Sequence, residues 1–195
     1  MITAVDATML MLLVRPESVG PDDPITKRPV ERLGERLDYL IQELEAQNAQ
    51  IVVPTPSLSE VLVDAGDAGP GIVSYLETTS PFKIAEFGVR AAIEVAARIH
   101  DAKLAGDKRG GVTGAWAKIK FDRQIVAIAV VEGATRIYSD DDGVAAFASK
   151  IGLQIVRTWE LPLPPTNPQG ALELPPPPPK TEPSHADDET EPDAE

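Results

Sequence analysis

The segment RIYSDDDGVAAFASKIGLQIV, residues 136–156, holds a strand, a short helix and a second strand. Arg136 to Ser139 ends an apolar strand pattern, Val144 to Lys150 has the composition of a short helix, and Leu153 to Val156 is apolar again. Gly152 stands just past the helix, where a left-handed residue commonly closes one. A helix between two strands is the pattern of a βαβ unit, whose strands run parallel. Outward from this unit the same grammar repeats. Ile2 to Val5, Ile51 to Val53 and Phe82 to Ala85 are short apolar strands, the second stopped by Pro54 and Pro56. Val30, Leu33, Leu37, Leu40, Ile41 and Leu44 recur at helical steps, and Ser57 to Val63 starts another helix. Ala91, Ile93, Val95, Ala96 and Ile99 mark a helix running to about Leu104, and Gln124 to Val131 is a largely apolar one. Lys103 to Gly114, between them, is a glycine-rich basic loop. Strands alternating with helices predict an α/β fold whose central parallel sheet has helices on both faces.

The composition bounds what such a domain can do. Hydrophobic residues make up 43% of 195, normal for a globular chain, and the absence of cysteine excludes disulfides and thiolate metal sites. No signal-peptide pattern opens the chain, and its longest apolar runs, near Met9 to Val14 and Ile125 to Val131, are too short to span a bilayer. A soluble, cytoplasmic protein without membrane contact is expected. The net charge of −13 is unevenly spread, because from Trp159 onward nine acidic residues face only Lys180. Pro162 to Glu195 also carries eleven of the nineteen prolines, a composition that cannot bury enough apolar area to order itself. The expected division is a folded domain over 1–158 and a disordered, proline-rich acidic tail over 159–195.

In an open parallel sheet, ligands gather beyond the carboxyl ends of the strands. Asp6 ends the first strand pattern, Asp140, Asp141 and Asp142 follow the fourth, Asp122 reads as the opening of a helix, and Glu60 lies near the start of another. Carboxylates converging on one rim suit hard divalent cations such as magnesium or manganese. A site of that kind polarises a phosphodiester, activates water and stabilises the departing oxygen. Each acid also has a plain structural reading. Asp6, Asp122 and the aspartate trio are good helix caps, and Ser57-Leu58-Ser59-Glu60 has the form of a capping box. The signal is the set and its order.

By that order the chain resembles the PIN-domain nucleases, a family that includes the toxin halves of many bacterial toxin–antitoxin pairs. ITAVDA over residues 2–7 looks like the opening strand with its first acid, and IVVPTPSLSEVL over 51–62 like the second strand and the helix bearing Glu60. IKFDRQIVAIA over 119–129 resembles the segment with the third acid, and IYSDDD over 137–142 the fourth strand with its hydroxyl, Ser139, two residues before Asp141. The resemblance covers residues 2–157. It implies a three-layer α/β/α sandwich with about five strands in the order 3-2-1-4-5. It also implies a magnesium- or manganese-dependent endoribonuclease, with Asp6, Glu60, Asp122 and Asp141 as catalytic metal ligands, supported by Ser139. Asp140 and Asp142 are further candidate ligands. The chain departs from the family at Gly88, where members often have an aspartate, and in a longer segment from Arg15 to Gln50.

RNA is the substrate implied, and a toxin's partner would be an antitoxin or another protein, with a homodimer as a further option. Lys118, Lys120 and Arg123, beside Asp122, are candidate nucleic-acid contacts, since phosphate binding needs cations. Two alternatives share the same residues: an inactive binding module that kept the fold as a scaffold, and a structure-specific DNA nuclease.

Overall fold

A computed structural model describes residues 1–165 of the chain. The tail expected to be disordered lies almost wholly outside the described residues. Five strands form one parallel sheet: β1 (Ile2–Val5), β2 (Gln50–Pro54), β3 (Phe82–Ala85), β4 (Arg136–Tyr138) and β5 (Gln154–Val156). Their order is β3-β2-β1-β4-β5, as the resemblance implied. β1 pairs Ala4 with Val52 of β2 on one side and with Ile137 of β4 on the other. The direction of winding therefore reverses between β1 and β4, the switch point at which α/β sheets form their crevices.

Alternation along the strands sorts side chains to two faces. Ala4, Val52, Ala85 and Ile137 pack in one cluster beneath α5 (Val89–Leu104), α6 (Trp116–Val131) and α7 (Asp142–Ser149). Val5, Ile51, Val53 and Tyr138 pack in the other, beneath α1 (Ala7–Val14), α2 (Leu33–Ala46), α3 (Thr55–Ala65) and α4 (Gly69–Thr78). The three-layer sandwich follows.

Several elements depart from the sequence reading. α1 was not expected, because the run from Ala7 to Val14 is apolar all round and shows no helical period; it buries Met9, Leu10 and Leu12. α4 was not expected either, since Gly69-Pro70-Gly71 looks like a break. A proline in the first turn, however, lacks only an N–H that would have no helical partner there. α3 begins at Thr55, with Pro56 in its first turn, so Pro54 and Pro56 start a helix as well as ending a strand. α6 begins at Trp116, eight positions before the expected Gln124. The packed chain also runs past 158: Thr158 is fully buried, and Leu161 joins the second cluster, its carbonyl accepting from the Arg36 guanidinium. Among the described residues no helix is long and apolar enough to cross a membrane.

Candidate active site

The chain emerges from β1 directly into Asp6, whose backbone N–H donates to Tyr138 of the neighbouring strand at 3.1 Å. Asp6 caps α1, its Oδ1 accepting from the Met9 N–H at 2.8 Å. The capping role is real, yet it occupies only one oxygen. Oδ2 accepts from the Ser139 hydroxyl, and the Ser139 Oγ in turn accepts from the Asp141 N–H at 3.1 Å. Ser139 thus joins the ends of the two strands at the switch point. Asp6 is only 3% exposed, and burial pushes its carboxyl up to about 6, with the charges of Asp140 and Asp141 adding to the rise.

Asp141 caps α7, with Oδ1 accepting from Gly143 N–H at 2.7 Å and Val144 N–H at 3.1 Å. Its Oδ2 lies 2.5 Å from the Lys118 Nζ. Burial alone would raise this carboxyl, but the lysine hydrogen bond and the helix N–H groups outweigh it and hold Asp141 below the ordinary range.

Asp122 does not open its helix. It sits in the second turn of α6, 4% exposed, one turn after Lys118, whose Nζ lies 3.4 Å from its Oδ1. Its Oδ2 is buried without a hydrogen-bond partner. Burial raises the Asp122 carboxyl, and Asp141 and Glu60 push the same way against Lys118. This close approach depends on a glycine: a Cβ at Gly143 would stand 2.4 Å from Asp122 Oδ2 and 2.9 Å from Asp141 Oδ1.

Glu60 is no part of a capping box. Ser57 lies inside α3, fully buried, and its hydroxyl donates to the Val5 carbonyl at 3.3 Å, so Glu60 sits in the second turn. The helix cap is Pro54, without a side-chain bond. Glu60 is raised by partial desolvation, opposed by Lys118 and reinforced by Asp141 and Asp64, which puts it within the field of the same cluster without direct contact.

The neighbouring aspartates, also candidate ligands by sequence, line the same groove but are engaged with other partners. Asp140 accepts from the Thr158 N–H at 2.8 Å and its hydroxyl at 2.7 Å, pinning the chain after β5. Asp142 is 99% exposed along its side chain and pairs with Arg157 at 2.9 Å. Arg123, a candidate nucleic-acid contact by sequence, is placed in the packed interior. It is buried, its guanidinium lies over Phe147 and beside Trp116, and Nη2 donates to the Lys108 carbonyl at 2.7 Å. A phosphate would have to displace that packing. Lys120 is exposed, and Lys118 is engaged with the acids. Gly88 caps α5 where a further acid was noted as missing.

A groove of about 570 Å³ runs along this edge between the loop at Gly111 to Thr113, α6 and the start of α7, with Lys118, Asp122 and Asp141 on its wall. The acids offer only hard oxygen donors, the kind magnesium and manganese take, and Asp122 Oδ2 is an anionic oxygen that lacks any partner. In kind of donor the residues fit such a cation. As the side chains lie, no three acids or histidines among the described residues stand close enough to hold one ion, and the Lys118 ammonium bridges two of them.

Fold and site together define a single α/β/α domain with a carboxylate cluster at the sheet's switch point. The chain is similar to a chain in the structure of VapBC2 from Rickettsia felis bound to a DNA fragment from its promoter. That match has 14% identity and a TM-score of 0.52, covering 80% of this chain and 98% of that one. It is also similar to a chain of DNA-bound VapBC from Salmonella typhimurium, at 13% identity and a TM-score of 0.50, covering 81% and 98%. At such identities the likeness is one of fold. No family model and no curated protein matches the chain.

Proposed function

We propose that this protein is a metal-dependent endoribonuclease of the PIN type, acting as the toxin of a toxin–antitoxin pair. One observation carries the reading. Asp6, Asp122 and Asp141, from separate segments in the order seen in PIN nucleases, are linked through Ser139 and Lys118 at the switch point, with Glu60 in their field, and Asp122 has a buried oxygen without a partner. Structural capping explains Asp6 and Asp141 in part, but it explains neither Glu60 nor the interior position of Asp122.

In this reading Asp6, Glu60, Asp122 and Asp141 hold magnesium or manganese, directly or through water. When bound, the metal polarises the phosphodiester and offsets the charge that develops on phosphorus oxygens. The chain's own groups orient that site. Ser139 fixes the Asp6 carboxylate against the start of α7, and Gly143 lets the first turn of α7 approach Asp122. In this reading the groove beside the loop at Gly111 to Thr113, which opens onto Asp122 and Asp141, receives the RNA strand. The fold shared with VapBC chains supports a protein partner of the antitoxin class.

The test is incubation of labelled single-stranded RNA and DNA of one sequence with the full chain, in manganese and in EDTA. Cleavage of RNA alone, in manganese alone, is the expected result. Equal cleavage of DNA would move the substrate class, and no cleavage of either would return the domain to a binding role.

A further inference from the structure

We propose that Lys118 is an internal counter-ion of the carboxylate edge that divalent metal must displace, so that the Lys118 ion pairs and metal loading exclude one another. The inference rests on the metal-binding reading above and says how that site is held in the absence of metal.

α6 delivers the ammonium to the cluster by its own geometry. Lys118 stands one helical turn before Asp122, so both side chains lie on the same face. Nζ reaches 2.5 Å from Asp141 Oδ2 and 3.4 Å from Asp122 Oδ1, and its charge acts on Glu60 as well. The three carboxylates come from α3, α6 and the cap of α7, and without a cation among them they would repel.

The two sides of this contact are built differently. The Asp122 and Asp141 side chains are 6% and 28% exposed and fixed by their helices, whereas the Lys118 side chain is 58% exposed. The lysine is the solvent-facing partner, and its polar contacts at the edge are the two ion pairs. With the ammonium end open to solvent, the pairs can exchange, so a divalent ion with more charge to offer the same oxygens should replace the ammonium. A cation entering while Lys118 stays would meet like charge at short range, which opposes loading.

The experiment titrates manganese into the full chain by calorimetry, with thermal melts in EDTA and in manganese. Lys118→Met should bind manganese about two- to fivefold tighter than the parent, the size expected for losing a weak competing ion pair. Its melting temperature should fall in EDTA, and its gain on adding manganese should grow. Lys118→Arg, which keeps the charge, should restore the parent affinity, and Lys120→Met on the same helix should leave it unchanged. Parent and Lys118→Met binding equally well, with Asp122→Asn abolishing binding in both, would overturn the counter-ion role and leave the metal site standing. Manganese binding that survives Asp122→Asn, or no binding by any form, would overturn the site and this inference together.

Discussion

Replacing Asp6 with asparagine should stabilise the metal-free protein at alkaline pH and destabilise it in acid. Burial holds the Asp6 carboxyl at about 6 against an ordinary 3.8. Below 3.8 the group is protonated in both folded and unfolded chains, so it imposes no penalty. As pH rises through that value the unfolded chain ionises first, and stability falls until the folded carboxyl has also ionised near 6. At about 1.4 kcal/mol per pH unit, the penalty above pH 7 is about 3 kcal/mol. Asparagine removes it and keeps an oxygen for the Met9 N–H, but it loses the hydroxyl bond from Ser139, worth about 1 kcal/mol. The net gain at pH 8 is about 2 kcal/mol, or roughly 4–8 °C for a domain of this size. At pH 3.5 the variant should melt slightly below the parent. Thermal melts of both proteins in EDTA from pH 3.5 to 8 read the crossover. A difference in melting temperature that does not change with pH would refute the buried-carboxylate account of Asp6.

Gly143→Ala should lower stability by about 1–3 kcal/mol through overpacking, despite the better helix propensity of alanine, and should weaken manganese binding, because its Cβ would sit against Asp122 and Asp141. An unchanged melt with unchanged metal affinity would mean the start of α7 is not held against Asp122. Thr158→Val removes one of the two bonds to Asp140 and should cost about 1–3 kcal/mol by urea titration while leaving RNA cleavage intact. A loss of cleavage as large as that of Asp122→Asn would bring Asp140 back into the site. Glu60→Gln should leave the metal-free melt unchanged or raised, since partial burial disfavours the charge, while calorimetric manganese affinity falls. Unchanged affinity would leave a three-carboxylate site.

The sheet was legible in the sequence because its strands are short apolar runs separated by helices of recognisable period, and the order 3-2-1-4-5 was implied by the family resemblance. What escaped has physical causes. α1 is apolar on nearly every side, so it carries no amphipathic period to read. α4 and the true start of α3 were hidden by prolines, which end strands but are equally at home in a helix's first turn. That misreading had a consequence at the site, since it made Ser57 a cap and Glu60 its reciprocal partner, whereas Ser57 is buried under β1. Asp140 and Asp142 could not be told from Asp141 by sequence, because three consecutive residues leaving a strand diverge in direction. The role of Gly143 could not be read from the sequence, because the carboxylate it makes room for, Asp122, comes from another helix. The four-residue step from Lys118 to Asp122 was in plain view, but its meaning depended on Asp141 arriving from another helix.

The central claim is that the acids at the switch point bind a divalent metal. Anomalous diffraction from crystals grown in manganese tests it most directly. The account predicts a manganese peak bonded to carboxylate oxygens of Asp122 and Asp141, with Asp6 and Glu60 reaching it directly or through water and the Lys118 ammonium moved away. A well-ordered edge with Lys118 still between Asp122 and Asp141, and manganese absent there or bound elsewhere, would contradict it.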